Sequence, residues 1–225
     1  MKILFIGNSA TYVHEIPGML SDLAKTAGYD VEVAKITRGG FTLAKHADAS
    51  TEHGQRVLAE IEKGYDIVFL QEVGNCFTTE EHRESCRRST RILLSEIQKS
   101  GAKAWFYVRP PYGRDLEGYP AFDQSRELDR LFVPLAAENH TPCAYVNRAF
   151  ADAMKHTDIG LWGPDNAHTS IPGAYLIACT LFSALFGRSA TALKPEIEGL
   201  SAEEALILAR IADHVSLEGY SPWKD

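Results

Sequence analysis

Short apolar runs recur along the chain, and between them apolar residues fall at helical spacing. The runs are Lys2–Ile6, Val31–Ile36, Ile67–Leu70, Ala104–Val108 and Ala144–Val146. Their brevity and near-continuous hydrophobicity suit strands covered on both faces. Between them, Ile16, Met19, Leu20, Leu23, Ala24 and Ala27 form a helical stripe that ends at Gly28. Val57, Leu58 and Ile61 lead to Gly64, Ile92, Leu93 and Ile97 lead to Gly101, and Leu128, Leu131, Phe132 and Leu135 mark a fourth helix. Two more helices follow the strands. Pro172 opens one that stops at Gly187, and Ser201 with Glu204 forms a capping box for the last. The alternation predicts a three-layer α/β/α sandwich around a mostly parallel five-stranded sheet of flavodoxin-like topology. No linker-like stretch divides residues 1–225, so a single domain is expected.

Charge and cysteine usage narrow the function classes. A net charge of −7 lacks the basic stripe of a nucleic-acid footprint. No apolar stretch approaches a membrane span, and the N-terminal run is too short for a signal-peptide core, so a cytoplasmic protein is expected. Cys76, Cys86, Cys143 and Cys179 form no C-x-x-C pair, and the last two read as buried hydrophobes. His14, His46, His53 and His82 show no metal-ligand spacing, so no metal is expected. Gly39-Gly40 has no following Gly-Lys-Ser/Thr and Gly7-Asn8-Ser9-Ala10 no three-glycine pattern, so no phosphate loop, dinucleotide site or cofactor is expected.

The polar residues that follow the strands carry the chemistry. Ser9, Gly39-Gly40, Gln71-Glu72 and Arg109-Pro110 follow the first four runs and belong on one edge of the sheet, where ligands bind in such folds. Asp165-Asn166-Ala167-His168 lies beyond the fifth. At that spacing a carboxylate can accept from one imidazole nitrogen while the other faces a nucleophile. Taken singly, Gly7-Asn8-Ser9 reads as a tight turn with a helix cap and Asp165 with His168 as a cap plus a surface histidine. Together they are the three groups that make a serine hydroxyl nucleophilic.

These segments resemble the SGNH (GDSL-like) hydrolase superfamily over most of the chain. Its blocks correspond to Ile6-Gly7-Asn8-Ser9, Arg38-Gly39-Gly40-Phe41-Thr42-Leu43, Phe69-Leu70-Gln71-Glu72 and Asp165-Asn166-Ala167-His168. A bacterial subgroup with a Leu-Gln-Glu third block is most similar, and its Gly-x-Tyr-Leu tail is here Gly173-Ala174-Tyr175-Leu176. The resemblance implies hydrolysis of an ester through an acyl-serine, with Ser9 as nucleophile, His168 as base and Asp165 orienting the imidazole. It implies an oxyanion hole from the Ser9 N–H and the Gly40 N–H, with Gly39 as the alternative. The third donor departs from the pattern. The usual asparagine position falls on Val73, which leaves Gln71 or Asn75, and Gln71 is preferred because a strand end is more rigid.

Glu72 is expected either to bind a substrate hydroxyl or to pair with Arg38 or Arg109. Arg109, Tyr112 and Trp162, with Phe77 and Tyr119, could frame a sugar or an aromatic acyl group. A small-molecule or carbohydrate ester is therefore the expected partner, with O-acyl carbohydrates favoured. The rival is a non-catalytic carbohydrate- or nucleotide-binding module, and the Ser9–His168–Asp165 geometry discriminates the two. Oligomeric state is not legible.

Overall fold

In the computed structural model, which describes residues 1–193 and 197–223, the strands are β1 (Lys2–Gly7), β2 (Glu32–Thr37), β3 (Ile67–Leu70), β4 (Lys103–Val108) and β5 (Cys143–Tyr145). They form one parallel sheet in the order β2-β1-β3-β4-β5, the flavodoxin-like order. The pleat sends alternate residues to opposite layers. Ile3 and Phe5 of β1 join Ile67, Phe69 and Tyr107 on one face, while Leu4 and Ile6 join Val68, Leu70, Phe106 and Val108 on the other. Such side chains, buried on both faces, stabilise the fold by about 1.5–3 kcal/mol each.

Helices cover both faces. On the first lie α2 (Ile16–Thr26), α7 (Val146–His156), α8 (Ile171–Phe186) and α9 (Ala202–Ser216). On the second lie α3 (Leu43–Ala47), α4 (Glu52–Ile61), α5 (Glu80–Ser100) and α6 (Ala121–Asn139). A short α1 (Ser9–Tyr12) follows β1 directly. Gly101 and Gly187 take left-handed conformations that end α5 and α8, as their sequence positions predict. The Ser201–Glu204 capping box is present. No described helix is long and apolar enough to cross a membrane.

Some expectations are corrected. Val146 opens α7 instead of ending β5, and Cys143 is only half-buried. Ile92 is 44% exposed, because Leu93 and Ile97 provide the contact between α5 and the sheet. At the sheet edges, β2 turns Glu32 and Lys35 to solvent, and β5 is three residues long.

Candidate active site

The turn after β1 is braced from every side. Asn8 caps α1, its Oδ1 accepting from the Ala10 N–H at 3.1 Å, while its Nδ2 donates to the Phe41 carbonyl at 3.0 Å. Its backbone N–H donates to Gln71 Oε1 at 2.9 Å, and the Thr11 hydroxyl donates to the same oxygen at 2.9 Å. Gly7 is required here. A Cβ at that position would stand 2.6 Å from Gln71 Oε1 and 2.7 Å from Thr11 Oγ1. The Gly7 carbonyl accepts from the Arg38 N–H at 3.2 Å and from His46 Nε2 at 2.9 Å. From β4, the Tyr107 hydroxyl donates to the Ala10 carbonyl at 2.8 Å. Ser9 thus begins α1 on a turn tied to β3, β4, α3 and the Arg38–Thr42 segment, and its hydroxyl makes no hydrogen bond to a described residue.

The returning loop supplies the other two groups. Asp165 Oδ1 accepts from the backbone N–H groups of Ala167 and His168, each at 3.0 Å, and Oδ2 pairs with His168 Nδ1 at 2.6 Å. The His168 and Ala167 N–H groups, then the imidazole, hold the Asp165 carboxyl well below its usual range. An ionised Asp165 fixes Nδ1 as the protonated nitrogen, so Nε2 is free to accept a proton. A pairing of Trp162 with Thr169 closes the loop, aided by a bond from the Gly163 N–H to the His168 carbonyl at 2.8 Å. The histidine ring and Ser9 are not hydrogen-bonded to each other, so of the three-group geometry the Asp165–His168 half is formed.

His14, set aside in the sequence, joins the two halves. Its Nε2 bonds the Thr169 carbonyl at 2.8 Å, next to His168. His14 and Glu15 both adopt left-handed backbone, with φ of 58° and 51°. Such strain in non-glycine residues persists only where surroundings enforce it.

The third-block residues behave differently from expectation. Gln71 is buried, and its amide orientation is fixed because the Asn8 N–H can only donate. Its Nε2 donates to the Glu72 carbonyl. Gln71 therefore braces the serine turn, and its oxygen faces that turn in place of the expected N–H donor. Asn75 lines a cavity of about 270 Å³ together with Gly40, Glu72 and His82. Its side-chain amide makes no hydrogen bond to a described residue, and neither do the backbone N–H groups of Ser9, Gly39 and Gly40. Gly40 has φ of +69°.

Glu72 pairs with neither Arg38 nor Arg109. Both its oxygens accept from the Leu43 N–H at 3.1 Å and one accepts from the Val73 N–H at 2.6 Å. Burial pushes its carboxyl up to about 7, partly offset by those Val73 and Leu43 bonds. These bonds tie the end of β3 to the start of α3, and Glu72 also lines the cavity. On α3 itself, burial, then the neighbouring His53, lowers His46 to about 4. His53 Nε2 meets His46 Nδ1 at 3.0 Å. Among the described residues no group of three or more His, Cys, Asp or Glu is arranged to hold a metal ion.

The loop after β4 lies against both neighbouring blocks. Arg109 stacks on Tyr112, with 4.3 Å from its guanidinium carbon to the ring centroid, and both press on Gly74. The Gly113 N–H donates to the Asn166 carbonyl at 2.9 Å. Trp162 packs on Gly113 and donates from Nε1 to the Pro111 carbonyl at 3.1 Å, so it fastens the two loops together. Phe77 is buried against Tyr119 instead of facing a ligand. A larger hollow, about 660 Å³, lies among Leu94, Gln98, Lys103 and Pro142 at the amino end of β4, away from these groups.

Ser9 thus stands on the turn after β1 of a parallel sheet, and the loop of Asp165 and His168 is bonded to the loop after β4 and, through Thr169, to His14. Neither a protein-family model nor a curated protein sequence matches the chain. Solved structures do. One is a protein of Slackia heliotrinireducens proposed to be an SGNH hydrolase, 27% identical, covering 82% of this chain and 98% of its own, with a TM-score of 0.70. A DUF4886 family protein from Bacteroides uniformis is 17% identical over 97% of this chain and 95% of its own, with a TM-score of 0.83. An acetylxylan esterase from Geobacillus stearothermophilus is 19% identical over 84% and 95%, with a TM-score of 0.63. The chain has the fold of the SGNH (GDSL-type) hydrolases.

Proposed function

We propose that the chain is a serine hydrolase of carboxylic esters acting through an acyl-serine. The observation that carries this reading is the Asp165–His168 pair at 2.6 Å, its carboxylate held by two backbone N–H groups and its Nε2 left free. Ser9 Oγ attacks the acyl carbonyl as its proton passes to His168 Nε2. The tetrahedral oxyanion is received by the N–H groups of Ser9 and Gly40, Gly39 being the alternative, and by the Asn75 amide. His168 then protonates the departing alcohol, and water repeats the sequence to release the acid. Tyr112 borders the substrate. The similarity to an acetylxylan esterase supports an O-acetylated carbohydrate as the first substrate class to test.

Treatment with a fluorophosphonate probe, read by intact mass and peptide mapping, tests this. The expected result is one adduct at Ser9, absent in Ser9→Ala and slowed about a hundredfold or more in His168→Ala. A folded protein that takes no label overturns the reading and favours a binding module.

A further inference from the structure

Arg109 is 4% exposed, yet it makes no ion pair and no hydrogen bond with any described residue. Its Nε is sealed from solvent without a partner. Burying a cation in this way costs several kcal/mol unless an anion joins it. The buried carboxylate nearest in sequence to its slot, Glu72, is engaged by backbone N–H groups instead. The slot is nonetheless built with care. Tyr112 stacks on the guanidinium, and a Cβ on Gly74 would stand 2.2 Å from Nη1 and 2.6 Å from the Tyr112 ring, so only glycine admits the pair. Arg114 lies 5.5 Å from the same ring centroid and also lacks an acidic partner. Two unpaired arginines therefore share one tyrosine on a chain whose net charge is −7.

We propose that Arg109 is an anion receptor in the substrate site, so that the ester this chain cleaves carries a carboxylate or phosphate group beside its acyl linkage. The proposal deepens the ester-hydrolase reading and rests on it for the word substrate. With Nε closed, the Nη1 and Nη2 end is the part of the fork left for an oxyanion, and a planar fork suits two oxygens of one group. The position fits. Arg109 touches Gly74, next to Asn75, and its loop is bonded through Gly113 to the loop of His168.

Calorimetric titration at low ionic strength with inorganic phosphate, and separately with acetate, tests this on the wild type, Arg109→Gln, Arg109→Met and, as a control, Arg56→Gln at an exposed position of α4. Wild type and Arg56→Gln are expected to bind at least one anion, and both Arg109 variants to bind it about tenfold or more weakly. Which anion binds tells phosphate from carboxylate. Thermal melting supplies the second readout. An anion receptor predicts that Arg109→Met melts no lower than wild type, because the uncompensated buried charge is gone. No anion binding by the wild type, or equal binding by Arg109→Gln, overturns the proposal, as does a large loss of stability in both variants. Fluorophosphonate labelling keeps the two readings apart. Labelling without anion binding sinks only the receptor, and anion binding without labelling sinks only the esterase.

Discussion

Gln71 and Asn75 are four positions apart, and Gln71, the one preferred from sequence as an oxyanion donor, is turned instead to bracing the serine turn. Gln71 accepts from the Asn8 N–H and the Thr11 hydroxyl inside the turn that carries Ser9. Replacing it with methionine leaves both donors buried and unmet, at about 1–3 kcal/mol each. Gln71→Met is therefore expected to lower the urea midpoint markedly. Asn75→Ala should leave that midpoint nearly unchanged and, if a rate is measured on a short ester, lower kcat about 10²–10³-fold through loss of an oxyanion donor. Equal effects in the two variants would contradict the assignment. The serine and the Asp-x-x-His spacing were legible because each is a local pattern. The use of Gln71 was not, because its partners lie 63 and 60 residues away in the chain. Nor could spacing reveal that His14 reaches Thr169.

Among the elements, legibility followed how fully local rules and packing agree. The α9 start was readable from Ser201 and Glu204 alone, whose reciprocal bonds cap the helix. Ser201→Ala should cost about 1 kcal/mol in urea unfolding. It should leave Ser9 labelling at its wild-type rate, since α9 packs on α8 and α7 beneath the sheet. A change in labelling would show that this layer is coupled to the site. By contrast α7 is not among the expected helices, although Val146, Ala149, Phe150 and Ala153 supply an apolar period on its inward face. Asn147, Arg148 and Asp152 are buried between them, Arg148 and Asn147 held by the buried Asp129, and the helix starts directly at the end of β5, so its first residue reads as strand. The short helices α1 and α3 were missed for another reason: four or five residues cannot show a period at all.

For the molecule as a whole, α3 carries one group, His46, and is bonded at its start by another, Glu72, that bind protons unlike their unfolded forms. Unfolded, Glu72 releases its proton near pH 4.5, but in the fold it does so near 7. Its contribution to stability therefore falls as pH rises through that window and is level above it. His46 runs the other way. Its ordinary value of 6.5 drops to about 4 in the fold, so its contribution is intact above 6.5 and is lost as pH falls toward 4. The two slopes oppose each other, and a shift of either size corresponds to about 3 kcal/mol. Glu72→Gln removes one of them. Relative to wild type, the variant should gain stability by up to about that amount between pH 4.5 and 7, as followed by urea midpoints. Parallel curves would mean that Glu72 binds its proton equally well folded and unfolded.

The sheet also terminates itself. One outer strand is only three residues long, and the other presents Glu32 and Lys35 along its open side. A neighbouring copy that offered a backbone to either margin would find too few partners on one and fixed charge on the other. Runaway polymerisation by strand addition, the path by which exposed sheets become fibrils, is disfavoured at both ends.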